Sequence, residues 1–151
     1  MGWSWDHFFR FIFSEYMLLG VWTTIWLATV AMTLGVILGV IIAFMKMSNY
    51  WILQRIARAF IWLWRGTPLL IQMVIIYTVL PKVGLKFGVI ESAIIALTLH
   101  EGAYFAEIVR AGISAVNQGQ TDASKALGMT WPQRMWYVII PQATRVIIPP
   151  M

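Results

Sequence analysis

Long apolar stretches alternate with short polar segments along the chain. The first stretch runs from Tyr16 to Met45 without a charged residue, which exceeds the roughly 20 apolar residues that a helix needs to cross a bilayer. Two more apolar stretches follow, and another apolar helix is expected to begin near residue 131. The pattern predicts an all-α, polytopic transmembrane helical bundle. The predicted spans are 18–44, 61–80 and 88–109 of a single domain, 1–151.

Two glycines lie one helical turn apart in the first apolar stretch, at Gly35 and Gly39. Small residues at this spacing let a second helix approach the backbone closely. The alternative is that these glycines have no packing role, since glycine is common in membrane helices.

The segment between the first two apolar stretches is short and basic. We interpret Lys46 to Arg58 as a loop followed by an amphipathic turn at the membrane interface. Its two arginines, Arg55 and Arg58, lie on one side of a helical projection, and its isoleucines lie on another.

Amino-acid composition narrows the class of protein. The chain is 60% hydrophobic and only 11% charged, so a soluble domain of this size would expose far too much apolar surface. It has no cysteine, which excludes disulfides and zinc-cysteine sites. The net charge of +5 comes from scattered basic residues that form no run, which indicates anionic lipid head groups rather than nucleic acid.

The distribution of basic residues predicts the orientation in the membrane. If the N-terminus lies outside, six basic residues face the cytoplasm and three face outwards, as the positive-inside rule requires. This orientation also places the polar segment 115–135 in the cytoplasm. The cytoplasmic residues would be Lys46, Arg55, Arg58, Arg110, Lys125 and Arg134, and the outer ones Arg10, Lys82 and Lys86.

The polar segment 115–135 is predicted to form two helices joined by a turn. Thr121 is expected to cap the first helix. Gly128 lies where a residue in the left-handed conformation commonly ends a helix. Thr130 and Gln133 have the spacing of a capping box, so a second helix should start directly afterwards.

The same segment carries a family pattern. Membrane-spanning subunits of ATP-binding-cassette (ABC) importers have a cytoplasmic loop that reads E-A-A, three residues, G, nine residues, I, one residue, L-P. This chain resembles that loop, with the glycine and proline matched and four mild substitutions. It is most similar to the polar amino acid branch, which includes histidine, glutamine and arginine permeases. The matching positions are Asp122-Ala123-Ser124, Gly128, Val138, Ile140 and Pro141.

The resemblance implies a fold, a set of partners and a coupling site. The fold would be a MetI-like permease bundle, and a separate ATPase subunit would dock on the segment 115–135. ATP and magnesium would bind that ATPase, so this chain would not be an enzyme and would hold no cofactor or metal. The other implied partners are a second permease subunit and an extracytoplasmic amino-acid-binding protein. The ATPase-coupling residues would be Asp122, Ala123, Ser124, Gly128 and Pro141.

The resemblance also implies a location and a length. The chain would lie in the cytoplasmic (inner) membrane of a prokaryote. Because the family usually has five transmembrane helices, a chain that ends at Met151 is expected to be a C-terminally truncated subunit.

A break interrupts the second apolar stretch at 65–68, Arg-Gly-Thr-Pro. A membrane accepts such irregular backbone only where it faces protein or water. Arg65, Thr67 and Gln72 are therefore candidates for a substrate path, with Arg65 available to a substrate carboxylate. The alternative is that Arg65 extends to the cytoplasmic interface and Pro68 begins the helix proper.

The third apolar stretch carries ionisable side chains near its middle. His100 and Glu101 are costly at this depth unless they are paired or hydrated, and Tyr104 and Glu107 follow His100 on one helical face. We interpret His100, Glu101 and Tyr104 as a polar lining that recognises an amino acid. The alternative is a His-Glu network that holds the bundle together.

Two other functions remain open from the sequence. The chain could be a membrane anchor that recruits a cytoplasmic partner, or a secondary carrier driven by protons through His100 and Glu101. A zinc hydrolase motif is excluded, because it needs a second histidine where the chain has Tyr104. No G-x-x-x-x-G-K-[ST] loop is present to bind ATP phosphates.

Overall fold

The computed structural model describes residues 4–150, and in that part of the chain it contains helices and no strand. Two helical segments, 69–83 and 131–147, each contain a turn of π-helix, in which the backbone carries one extra residue per turn. The elements are α1 Trp5–Ile12, α2 Glu15–Met47, α3 Trp51–Gly66, α4 Leu69–Val74 continued by a π-turn Ile75–Val79 and a 3₁₀ turn Leu80–Val83, α5 Val89–Ser114, α6 Gln118–Ala126, and α7 Trp131–Arg134 continued by a π-turn Met135–Ile139 into α8 Ile140–Ile147.

The helices α2 and α5 form the central pair, and both are long and apolar enough to cross a membrane. They pack closely because Gly35 and Gly39 of α2 are buried against α5. A Cβ atom added to Gly35 would lie 2.8 Å from Cβ of Glu101, and one added to Gly39 would overlap Cβ of Phe105. The predicted packing role of the two glycines is therefore confirmed.

The helix α3 packs across the C-terminal ends of α2 and α5. It buries Ala57 and Ile61, which are one turn apart and so lie on the same face. These side chains close an apolar cluster of small and branched residues. Its buried members are Ile42, Ala43, Ala57, Ile61, Ala106 and Val109.

The bounds of α3 correct the prediction for this region. An interfacial turn was expected before a helix starting near residue 61, but one continuous helix begins at Trp51. No glycine or proline interrupts residues 51–65, and burial of Ala57 outweighs the local polarity that suggested a loop. The predicted break is present: Thr67 is extended (φ −120°, ψ 143°), as expected before Pro68. There the chain bends by 105° between α3 and the helix that follows.

Each π-turn ends two residues before a proline. Ile75–Val79 precedes Pro81, and Met135–Ile139 precedes Pro141. Proline has no N–H to donate, and its ring clashes with the carbonyl four residues earlier. The wider turn accommodates the missing N–H and the proline ring. The π-turns were not predicted from the sequence.

The helix α8 returns to the central pair and packs on α5. Ala143 is 1% exposed, and a Cβ atom added to Gly112 of α5 would lie 3.2 Å from the Ala143 carbonyl oxygen. Small residues therefore set this second close contact of α5 as well.

We predict that Gly39→Leu destabilises the fold by about 1–3 kcal/mol, because the new side chain must push α2 away from α5. Thermal unfolding of the protein in detergent, followed by tryptophan fluorescence, would measure the change. Gly20→Leu is the matched control, since a Cβ atom at Gly20 meets nothing within 4 Å. Equal thermal unfolding midpoints for Gly39→Leu and Gly20→Leu would contradict the conclusion that close packing of α2 on α5 requires Gly39.

Candidate functional site

Gln72 organises a polar cluster at the break between α3 and α4. Its side chain is buried, with 3% of the residue exposed. Its amide Nε2 donates to the carbonyl oxygen of Trp64 at 2.8 Å and to Oγ1 of Thr67 at 2.8 Å. These bonds satisfy polar groups that the break leaves without helical partners.

The other end of the Gln72 amide reaches α5. Its Oε1 lies 3.1 Å from Nδ1 of His100. An amide oxygen only accepts hydrogen bonds, so Nδ1 of His100 carries the proton. One buried side chain therefore ties the break to the middle of α5.

Arg65 and Tyr104 extend this cluster. The guanidinium carbon of Arg65 lies 4.9 Å from the Tyr104 ring centroid, within the range of a cation–π interaction. The Tyr104 ring in turn lies 5.0 Å from the His100 ring, centroid to centroid. Five predicted path residues are thus brought together: Arg65, Thr67, Gln72, His100 and Tyr104.

Glu101 is separate from this cluster. Adjacent residues of a helix point about 100° apart, and Glu101 faces α2 while His100 faces Gln72. Among residues 4–150, the Glu101 carboxylate has no hydrogen-bond or ion-pair partner. The alternative of a His-Glu network is therefore wrong for the described structure.

Glu101 lines a groove of about 460 Å³ between α2 and α5. The groove is mainly apolar, with hydroxyl groups from two threonines of α2. Both hydroxyls donate to carbonyl oxygens of their own helix, at 2.8 Å and 2.9 Å. The lining residues are Thr23, Thr24, Leu27, Ala28, Ala31, Met32, Leu97 and Glu101.

An ion pair near the C-terminal ends of α2 and α5 was missed from the sequence. Glu107 pairs with Lys46 of α2 through Oε1 and with Arg110 through Oε2, the latter at 2.9 Å. The available signal was the position of Lys46 and Glu107, which have opposite charges and lie near the same ends of two long apolar helices.

The helix α6 begins earlier than predicted. Asn117 is its N-cap, with Oδ1 accepting the N–H of Gly119 at 2.8 Å. Thr121 was expected to cap this helix but lies inside it, where its carbonyl oxygen accepts the hydroxyl of Ser124 at 2.8 Å. The asparagine was overlooked, although it is at least as strong a cap as threonine.

Gly128 ends α6 in the left-handed conformation (φ +74°), as predicted. Its N–H donates to the Lys125 carbonyl oxygen at 2.9 Å, and the N–H of Met129 donates to that of Ser124 at 3.1 Å. This pair of bonds is the Schellman motif. Few residues other than glycine adopt this backbone conformation without strain.

A second helix start follows directly after this turn. Thr130 and Gln133 form the predicted capping box at the start of α7, with the Thr130 N–H donating to Gln133 Oε1 at 2.8 Å. The turn between α6 and α7 therefore contains hydrogen-bonded caps on both sides.

The side chains of α6 divide into an inner and an outer set. Ser124 is only 3% exposed, so its side chain belongs to the inner set, and its role in coupling stays a prediction. Asp122 and Ala123 are exposed, and Leu127 is 81% exposed. Pro141 lies in the first turn of α8, outside this surface.

Two contacts connect the α6–α7 segment to the bundle. The Trp131 ring lies 6.3 Å from the Phe44 ring of α2, centroid to centroid and edge to face. Gln142 Nε2 of α8 lies 3.5 Å from Gln120 Oε1 of α6. The segment is thereby held against the C-terminal end of α2 and the start of α8.

Comparison with known proteins identifies the family. Residues 35–151 match the model of the binding-protein-dependent transport system inner membrane component. The chain belongs to this family. A solved structure described as "Crystal structure of an amino acid ABC transporter with histidines" is 39% identical, with a TM-score of 0.89 over 99% of this chain and 69% of that chain. The predicted all-α, MetI-like permease fold and the resemblance to amino-acid ABC permeases are confirmed.

Individual relatives are similar over almost the whole chain. The arginine transport system permease protein ArgU of Corynebacterium glutamicum is 40% identical over 162 residues, covering 99% of this chain and 51% of ArgU. The L-cystine transport system permease protein TcyB of Bacillus subtilis is 39% identical, covering 87% of this chain and 56% of TcyB. The chain thus spans about half the length of these relatives.

We predict that Gln72→Met lowers the free energy of unfolding by about 1–3 kcal/mol, because buried acceptors at Trp64 and Thr67 lose their donor. Thermal unfolding of the full-length permease would measure the effect. Gln118→Met is the control, since Gln118 is exposed and makes one surface hydrogen bond, to Asp122 at 3.3 Å. If both variants unfolded at the same temperature as the wild type, the stabilising role of the Gln72 hydrogen bonds would be wrong.

Proposed function

We propose that this chain belongs to the transmembrane subunit of an ABC importer that moves a polar amino acid across the inner membrane of a prokaryote. The observation that carries the proposal is the similarity to a solved amino acid ABC transporter, at 39% identity over 99% of the chain. Relatives named for arginine and cystine transport support the same substrate class.

ATP would be hydrolysed on a separate subunit that docks on α6. The exposed side chains Asp122, Ala123 and Leu127 offer a small, convex surface for such a partner. The hydrogen bonds around Gly128 keep α6 at a fixed angle to α7, so displacement of α6 moves α7 with it. Ser124, which is buried, and Pro141, in the first turn of α8, would act by maintaining the shape of this segment.

The contact between Trp131 and Phe44 would transmit the displacement of α6 and α7 to α2 of the bundle. Phe44 lies two residues before Lys46, whose ion pair with Glu107 joins α2 to α5. A rigid displacement of the α6–α7 segment would therefore reach both long helices, which would alternate between outward- and inward-facing arrangements.

The remaining partners follow from the family. A second permease subunit would complete the path through the membrane, and an extracytoplasmic amino-acid-binding protein would deliver the substrate. ATP and magnesium would be bound by the ATPase alone. The bias of basic residues supports an external N-terminus and a cytoplasmic α6.

Two charged side chains beside the middle of α5, Arg65 and Glu101, are suited to bind the two charged groups of an amino acid. Arg65, held over Tyr104 in the Gln72 cluster, has the charge to attract a carboxylate. The Glu101 carboxylate lies in its groove without a described partner and would attract an ammonium or a cationic side chain. An ionised side chain within the membrane is costly unless it is paired or hydrated, so substrate binding would compensate for part of that cost.

We predict that Gly128→Val lowers substrate-stimulated ATP hydrolysis at least tenfold, because a β-branched residue at φ +74° is strained and the turn must rearrange. The measurement is ATPase activity of the full-length permease reconstituted with its ATPase and binding protein. Gly128→Asn is the control, since asparagine tolerates this conformation. Normal ATPase activity in Gly128→Val would contradict the proposal that the turn must be rigid. If the wild-type permease bound no ATPase, the alternative function of a membrane anchor would be favoured.

We also predict that Glu101→Gln lowers arginine uptake into proteoliposomes by about tenfold or more, with a smaller effect on glutamine uptake, because the groove loses its negative charge. Glu91→Gln removes the same charge from the exposed start of α5 and serves as the control. Equal uptake by the two variants would exclude Glu101 from the path. Uptake that needs a proton gradient and no ATP would instead favour the secondary carrier.

A further inference from the structure

The outer surface of α3 carries positive charge that the chain does not neutralise. No aspartate or glutamate occurs between Glu15 and Glu91. Among residues 4–150, neither Arg55 nor Arg58 forms an ion pair. The guanidinium of Arg55 lies 5.0 Å from the Trp51 ring centroid, and Arg58 Nη2 donates to Gln54 Oε1 at 2.5 Å.

The two arginines lie side by side and point away from the protein. They are three residues apart, which places them on the same face of α3, and both are exposed. Ala57, between them in sequence, points inwards and is 0% exposed. The pair therefore forms an exposed cationic patch on α3.

An apolar strip adjoins this patch. Ile52, Ile56 and Leu63 lie along the next face of α3 and are 54%, 52% and 47% exposed. Positions 52, 56 and 63 repeat at the four- and seven-residue spacing of one helical stripe. The exposed part of α3 thus combines two arginines with a row of branched aliphatic side chains.

The patch lies at the end of the bundle that the charge distribution places towards the cytoplasm. Ala57 packs in the same cluster as Ala43 and Val109, near the C-terminal ends of α2 and α5. Those ends also carry Lys46 and Arg110. Arg55 and Arg58 are therefore near the level at which lipid phosphates meet water, with Trp51 beside them as expected of an interfacial aromatic residue.

We propose that α3 binds one anionic phospholipid, with its head-group phosphate between Arg55 and Arg58 and its acyl chains along Ile52, Ile56 and Leu63. A free phosphate would use the arginines but leave the aliphatic strip exposed to water. A neutral lipid would cover the strip but leave two arginines without an anion. An anionic lipid satisfies both surfaces, and this binding does not depend on the transported substrate.

The test is native mass spectrometry of the full-length permease, titrated with phosphatidylglycerol or with phosphatidylcholine of the same acyl chains. We expect a preference for phosphatidylglycerol that falls on the order of 30-fold in the double variant Arg55→Gln, Arg58→Gln, which corresponds to roughly 1 kcal/mol for each arginine near a membrane surface. The control is Lys82→Gln, Lys86→Gln, which removes the same charge from exposed positions outside α3. The control should keep the preference.

Four results would overturn the proposal. The first is equal binding of the two lipids by the wild type, and the second is an equal loss in the control, which would indicate net charge alone. The third is displacement of phosphatidylglycerol by millimolar inorganic phosphate, which would identify a phosphate site. The fourth is an arginine variant that keeps its lipid preference but no longer binds the ATPase, which would show that the two arginines bind an acidic protein surface instead of a lipid. Circular dichroism of each variant would verify that the fold is retained.

Discussion

The close approach of α2 and α5 is the contact on which the rest of the structure depends. Between apolar helices in a bilayer, association comes from packing rather than from exclusion of water, and Gly35 and Gly39 remove the side chains that would hold the two backbones apart. The other helices are arranged around this pair. α3 covers its C-terminal ends and α8 packs on α5 at Gly112, while the groove beside Glu101 lies between the two central helices.

The break between α3 and α4 shows how an irregular backbone is stabilised inside the bundle. Pro68 forces Thr67 out of the helical conformation, which leaves carbonyl groups without donors. Gln72 supplies donors for the carbonyls of Trp64 and Thr67 and still reaches His100 with its remaining oxygen. The same amide that compensates for the break therefore also positions the histidine, so local backbone geometry and the polar cluster are set by one residue.

The sequence predicted several of the features that depend on local chemistry. The length of the first apolar stretch indicated α2, and the capping residues indicated the turn at Gly128 and the start of α7, because caps act within a few residues of themselves. Features that depend on three-dimensional packing were missed or misplaced. Whether Ser124 faces inwards depends on where α7 lies, and the partner of Glu107 is a lysine 61 positions away. No local pattern contains that information.

The π-turn before Pro141 has a consequence for how the last helix meets the bundle. One additional residue in a turn rotates every later side chain by about 100° relative to an uninterrupted α-helix. Met135, Ile139 and Ala143 are buried at four-residue intervals, and on an uninterrupted α-helix each such step would turn the side chain by about 40°. The wider turn opposes this drift, so the three side chains stay closer to one face, from which Ala143 contacts Gly112 of α5.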